Sequence, residues 1–333
     1  MHFRLLSLSL SEWTELRPAA TQALMKRDQT LRGVLLMVAF CALAPLLDAS
    51  SKLATEAIPV GQITAMRFVF QGLCMLPLIL WLRLDWRAAR RDLWLLAARA
   101  FCLMLSTYCF IASVQYMPIA DSIAIVFVMP FILMFLGWAI FGNPIGARRI
   151  YASAVGFAGA MLVIQPSLDH YGLVALFPLG CALSFSFYEI LTQAMSNRVH
   201  PVTMQLHTSI AGSVLCLPLL WLANGSGLAE FDPVTPDAIN WLWLFGVGFW
   251  AAVSHLCMTV AMKYAPASTL APLHYLELPM AVFLGFAIWG DFPNALTWLG
   301  IALIVGSGLY IIAHEHQTAQ NHPMPSPLPT EPI

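Results

Sequence analysis

Apolar positions in this chain come in long runs rather than in the alternation of a strand. Ten mostly apolar stretches follow one another: 32–51, 60–82, 93–113, 119–140, 149–166, 171–195, 202–223, 240–262, 267–289 and 295–313. A helix crossing the hydrocarbon core of a bilayer needs about 20 such residues. The connections are short and polar, except 224–239, which carries Glu230, Asp232 and Asp237 but neither Lys nor Arg. The pattern predicts an all-α membrane protein with ten transmembrane helices.

A repeat divides these ten spans in two. Cys109, Tyr116, Pro118 and Gly142 recur as Cys257, Tyr264, Pro266 and Gly290, each displaced by 148 residues. Each set reads Cys-x6-Tyr-x-Pro, a long apolar segment, then an aromatic-Gly pair, Phe141-Gly142 or Trp289-Gly290. Further matches keep the same order. Pro59-Val60 with Gln62 returns as Pro201-Val202 with Gln205, and Leu76-Pro77-Leu78 with Trp81 returns as Leu217-Pro218-Leu219 with Trp221. The halves are 31–166 and 167–313, flanked by tails 1–30 and 314–333. The first tail has a short apolar run, Leu5 to Leu10, but Glu12, Trp13 and Glu15 follow it without a small-residue cleavage site, so it reads as a tail rather than a cleaved signal. The last tail is polar and proline-rich and reads as disordered.

Charge orients the bundle. With the N-terminus inside, Arg4, Arg17, Lys26, Arg27, Arg32, Arg83, Arg87, Arg90, Arg91, Arg148, Arg149 and Arg198 fall on the cytoplasmic side, whereas Lys52 falls outside. Cytoplasmic loops of membrane proteins carry that excess of Lys and Arg. Ten spans then leave both termini in the cytoplasm. Five spans per half is an odd number, so the halves insert with opposite orientation, the inverted-repeat plan of many secondary transporters.

Composition narrows the class further. The chain is 59% hydrophobic and 10% charged, against about 25% charged in soluble domains. Its net charge is -1, and no basic patch with interleaved aromatics points to nucleic acid. The seven cysteines lie inside apolar segments without CxxC spacing, as small packing residues rather than disulfides or zinc ligands. Trp81, Trp94, Trp221, Trp241, Trp243 and Trp298 fall near span ends, as in an interfacial belt. No metalloprotease, nucleophile-elbow or Walker motif is present. No cofactor is implied, and without an ATP-binding element transport draws on a substrate or proton gradient.

Ionisable residues inside spans are costly and mark candidate sites. These are Asp48, Asp121, Glu189 and Glu277, with Arg67, Arg99, His207, His255 and His274. Asp48 and Glu189 are 141 residues apart, one short of the Pro59–Pro201 offset, which places them at nearly equivalent positions in spans one and six. They read as a substrate-contacting or proton-carrying pair; as purely structural acids they pair instead with Arg67, Arg99 or Lys52. His274 and Glu277, three residues apart, share one face of span nine and are bracketed by Pro272 and Pro279. Proline breaks helical hydrogen bonding, and broken helices at the midplane expose backbone to substrate. The alternative is a polar pair joining spans nine and eight through His255. Span four has Pro130 but Met129 opposite Glu277, which makes the site asymmetric. A lone His–Glu pair lacks the further ligands of a metal centre. Tyr108, Phe127, Tyr188, Trp250 and Tyr275 lie near these groups and offer faces for a planar ligand. The substrate-contacting set is therefore Asp48, Arg67, Tyr188, Glu189, His255, His274, Tyr275 and Glu277. An enzyme built on His274 and Glu277 is the rival class.

The five-plus-five pattern resembles the EamA-type members of the drug/metabolite transporter superfamily. The resemblance covers 31–313 and rests on Tyr116-Met117-Pro118-Ile119-Ala120 with Phe141-Gly142-Asn143, on Tyr264-Ala265-Pro266-Ala267-Ser268 with Trp289-Gly290-Asp291, and on the Gly-rich runs Gly156-Phe157-Ala158-Gly159-Ala160 and Gly300 to Gly308. Arg67 matches a recurrent arginine of that family, whereas Asn143 and Asp291 stand where Glu is usual. The resemblance implies a secondary transporter of a small organic molecule in the bacterial inner membrane, working by alternating access. Asp121-Ser122-Ile123-Ala124-Ile125, Pro130 and Val155-Gly156-Phe157 look most similar to a branch associated with riboflavin uptake. Amino acids, S-adenosylmethionine and related amine or carboxylate metabolites are the other expectation.

Overall fold

A computed structural model describes residues 10–87, 89–116, 119–142, 146–164, 172–290 and 294–320. Among these the chain is helical, with no strand. The long helices are α1 (Leu10–Thr55), α2 (Val60–Leu82), α3 (Arg90–Tyr116), α6 (Ala147–Ile164), α7 (Leu176–Met195), α8 (Pro201–Ala223), α9 (Ala238–Tyr264) and α12 (Ala295–Gln320). Between them lie α4 (Ile119–Val126), α5 (Met129–Phe141), α10 (Ala267–Leu270), a 3-10 segment (Ala271–Leu276) and α11 (Glu277–Trp289). Seven segments of the described chain are long and apolar enough to cross a membrane, and the apolar helices Met129–Phe141 and Ala295–Ile311 are shorter. The chain is a helical membrane protein.

Two of the expected spans are not continuous helices. The run 119–140 breaks at Phe127-Val128 into α4 and α5, and 267–289 is interrupted by the 3-10 segment before α11. Pro130 and Pro272 sit at the first turns of α5 and of the 3-10 segment, where a missing N–H costs nothing. Helix α1 begins at Leu10, within the first tail, and α12 continues to Gln320, into the tail expected to be disordered. Residues 321–333 lie outside the described residues, as do Met117-Pro118, Asn143 and Asp291.

Helices pack in pairs that swap into one another when the halves are exchanged. The most extensive interfaces are α1 with α9, α3 with α7, α2 with α8 and α6 with α12. Small residues permit the closest approaches, as is general in membranes. At the crossing of α6 and α12, a Cβ on Gly159 would lie 2.8 Å from the Gly300 carbonyl, and one on Gly300 would lie 2.5 Å from that of Gly159. Gly142 and Gly290 end α5 and α11 with φ of 65° and 78°, the left-handed cap that side chains resist. Large side chains cover the outside: Trp81, Trp94 and Trp221 are each 75% exposed or more.

The connection between α8 and α9 is strapped across one end of the bundle. Gln62 and the Val234 backbone exchange two hydrogen bonds of 2.9 Å, and Gly61 donates to the Glu230 carbonyl at 2.9 Å. Tyr116 and Tyr108 donate to the Glu230 carboxylate at 2.5 and 3.4 Å, and Phe231 stacks on Tyr108 with centroids 5.5 Å apart.

Candidate functional site

A cavity of about 110 Å3 opens between α1, α2, α3, α4, α7, α9 and the broken segment that precedes α11. That is room for several waters. Its walls are largely apolar and include Phe40, Phe110, Phe127 and Phe185. Its polar groups include Asp48 and Ser51 on α1, Arg67 on α2, Ser106 and Thr107 on α3, His255 on α9, His274 on the 3-10 segment and Glu277 at the head of α11. Aromatic walls around a few convergent polar groups are the usual build of a small-molecule site.

The broken segment places His274 and Glu277 there. Without regular α-helical bonding its carbonyls need other donors, and the Cys41 thiol supplies one to Leu273 at 3.2 Å. This thiol was expected only as packing. Gln193 caps the start of α10 through the Ala267 N–H at 2.9 Å. Phe40 and Phe185 set their ring edges or faces against both imidazoles, with centroids 5.6 to 6.4 Å apart.

Each charged group has a defined neighbour. Arg67 Nη2 lies 2.8 Å from His255 Nε2. A guanidinium only donates, so His255 accepts through Nε2 and carries its proton on Nδ1. That nitrogen is 3.3 Å from the Tyr188 hydroxyl. Glu189 Oε1 and His274 Nε2 are 3.0 Å apart, but off the line of a hydrogen bond, so both Glu189 oxygens and His274 Nε2 lack a directed partner. Both residues are buried. Asp48 and Glu277 line the same cavity, with Arg67 beside them.

Comparison with known proteins agrees with this architecture. A model of the EamA-like transporter family matches residues 31–165 and again 172–313. The chain belongs to the EamA-like transporter family. It is 31% identical over 223 residues to a protein of Rhizobium johnstonii named "Riboflavin transporter", covering 67% of this chain and 71% of that one. It is 21% identical over 271 residues to a protein of Rickettsia conorii named "S-adenosylmethionine uptake transporter", covering 80% of this chain and 88% of that one. A solved protein crystal structure superposes with a TM-score of 0.71 at 17% identity, over 87% of this chain and 98% of that one, and so shares the fold.

Five of the eight residues expected at the site of this EamA-like transporter line the cavity: Asp48, Arg67, His255, His274 and Glu277. Three stand behind it. Glu189 and Tyr188 are fully buried against His274 and His255. Tyr275 turns away, donating to the Phe127 carbonyl at 3.1 Å with its ring edge-on to Phe127. Asp48 lines the cavity whereas Glu189 stands behind it against His274, so the two acids at equivalent span positions take different places. His207 bonds the Thr203 carbonyl of its own helix at 2.9 Å. The side chain of Asp121 lies outside the described residues. Among the described residues no cluster of His, Cys, Asp or Glu has the size of a metal site.

Sequence reasoning missed the edge packing of Phe40 and Phe185 and the hydroxyl-lined setting of Arg99. The apolar-run pattern carries no signal for either. The Gln62–Gln205 match was the one hint that both glutamines organise backbone or buried polar groups, and Gln205 does donate to Thr259 at 2.8 Å and accept from Gln71 at 3.0 Å.

Proposed function

We propose that this transporter carries riboflavin into the bacterial cell by alternating access, with ten spans arranged as two inverted five-helix halves, 31–166 and 167–313. Both termini then lie in the cytoplasm and the 224–239 strap lies outside. The observation that carries the substrate reading is the make-up of the cavity, phenylalanine walls over a polar floor, together with the 31% identity to the Rhizobium johnstonii protein. Riboflavin has a planar ring system for Phe40, Phe110, Phe127 and Phe185 to cover and an imide edge for Arg67, His255, His274 and Glu277. Its polyol tail suits Ser106 and Thr107. It bears no net charge near neutrality, which suits a floor holding both acids and a guanidinium.

Mechanistically, the broken segments are the pivots. They let α5 and α11 tilt without breaking long helical ladders, and half-helix ends at the midplane are where transporters meet their cargo. The family is one of transporters rather than enzymes.

Two carboxyls in one cavity, Asp48 and Glu277, favour a second reading, a cationic metabolite such as S-adenosylmethionine, whose sulfonium carboxylates would attract. A riboflavin-auxotrophic bacterium carrying this gene separates the two. Growth at limiting riboflavin is the expected result. No rescue, with the protein demonstrated in the membrane, removes the flavin reading, and competition of uptake by S-adenosylmethionine would replace it.

A further inference from the structure

Arg99 is the most deeply buried cation of the described bundle, with no exposed surface. Among the described residues no carboxylate lies within ion-pair distance of it. Its guanidinium is surrounded instead by neutral oxygens from three other helices. Nε donates to Thr192 Oγ1 at 2.7 Å, Nη2 to the Tyr188 hydroxyl at 2.8 Å and to Thr259 Oγ1 at 3.2 Å, and Nη1 to the Met204 carbonyl at 3.3 Å and to Thr208 Oγ1. The three threonines are aimed for this. Each spends its own proton on the carbonyl four residues back, at 2.7 to 2.9 Å, and turns a lone pair toward the guanidinium.

Position gives this cluster its meaning. Arg99 lies near the start of α3, Thr192 near the end of α7, Met204 and Thr208 near the start of α8, and Thr259 near the end of α9. All four helix ends are at the side of the bundle away from the 224–237 strap. The cavity is lined further along the same helices, by Ser106, Thr107, Cys181 and Phe185, so Arg99 sits beyond its floor. A single path of contacts joins the two: Arg67 in the cavity, His255, the Tyr188 hydroxyl, Arg99.

We propose that Arg99 is the latch of the closed end: it holds α3, α7, α8 and α9 together below the cavity, and its release through the Tyr188–His255–Arg67 path is the step that opens the cavity to that side. The neutral shell suits a latch. Separating a buried ion pair strands two charges and is strongly unfavourable, whereas threonine hydroxyls and a carbonyl can be replaced at the guanidinium by entering water. Arg99 is thus a positioning residue for transport and touches no substrate. The proposal rests on the alternating-access reading above but not on riboflavin as the cargo.

The test combines Arg99→Gln with a reporter thiol at Ser268→Cys, a position buried at the same closed end. Reactivity toward a maleimide is measured in membranes against the parent without the added thiol, which subtracts the seven native cysteines. We expect labelling of the reporter to rise about tenfold in Arg99→Gln, a shift in population between two states of the bundle, and transport turnover to fall about tenfold while the apparent KM changes less than about threefold. Arg99→Lys, which keeps the charge with fewer donors, is expected to fall between. Thr208→Val with Thr259→Val removes two acceptors without changing volume, and is expected to raise labelling even if Arg99→Gln does not reach the membrane. Unchanged labelling in every variant that reaches the membrane overturns the latch. Because labelling needs no substrate, a failure of the riboflavin reading leaves this result intact and separately readable.

Discussion

The two broken spans share a backbone plan and differ in chemistry. In the first half, α4 gives way to α5 at Phe127-Val128; in the second, α10 gives way to α11 across Ala271–Leu276. Phe127 and Tyr275, and likewise Met129 and Glu277, are displaced by the repeat distance, and the 3.1 Å bond from the Tyr275 hydroxyl to the Phe127 carbonyl joins residues 148 apart in sequence. Equivalent positions thus meet at the centre of the molecule. Yet the first half presents Ile123, Val126, Phe127 and Met129 to the cavity, and the second presents His274 and Glu277. Two interrupted spans thus line one cavity, one with an apolar wall and the other with a polar one.

If the polar wall carries recognition, damage there has the largest effect. Glu277→Gln and His274→Ala should each lower uptake at least tenfold with membrane abundance intact, measured by labelled-substrate uptake against quantified protein. Normal uptake in both would make the pair interhelical glue. Carrying the polar chemistry to the other wall should also be harmful. Met129→Glu adds a carboxylate beside Phe127, and it should cut uptake several-fold because a second desolvated charge faces the cargo. Should Met129→Glu transport normally, the asymmetry has no functional weight.

Proton traffic is the next consequence. With Asp48 and Glu277 lining one cavity beside Arg67, Asp48→Asn replaces a titratable carboxyl with an amide that does not titrate. The pH profile of uptake should flatten between about pH 5 and 8, where carboxyl and imidazole groups of such sites titrate. A profile identical to the parent's would dissociate the acid pair from coupling.

Smaller effects concern stability. Tyr275→Phe removes one buried hydrogen bond between the halves, worth about 1 kcal/mol, and should lower the melting temperature in detergent slightly without altering the substrate's KM. Smallest is a pH effect outside the spans. His200 caps α8 by accepting the Val202 N–H through Nδ1 at 3.3 Å. Burial, and then the Lys263 ammonium, hold its imidazole below the ordinary value of 6.5. The folded state therefore binds its proton less readily than the unfolded one, so this cap's contribution is complete above pH 6.5 and is lost as pH falls below it. His200→Asn caps without titrating and should remove that part of the acid sensitivity.

Much of the fold was legible because span length and helix breakage leave marks in one dimension. The apolar runs gave most helix positions to within a few residues, apart from the start of α1 and the end of α12, and Pro130 and Pro272 marked both interruptions. His274 and Glu277 were legible as a facing pair because their spacing is local. What was not legible depends on partners far apart in sequence. Glu189 pairs with His274 rather than Asp48, a choice set by how α7 meets the broken segment. Arg99 is satisfied by Thr192, Thr208 and Thr259 from three helices. Threonines inside apolar runs resemble filler until packing brings their lone pairs to one point. Tyr275 beside His274 suggested a stacking face, but in the segment's 3-10 turn the two side chains diverge, one to the cavity and one to Phe127.

The most direct test of the central claim is counterflow in liposomes holding the purified protein. Vesicles loaded with unlabelled riboflavin should accumulate labelled riboflavin from outside, and Glu277→Gln vesicles with the same protein content should not. Equal accumulation in both, or none in either while labelled S-adenosylmethionine exchanges freely, would contradict the account.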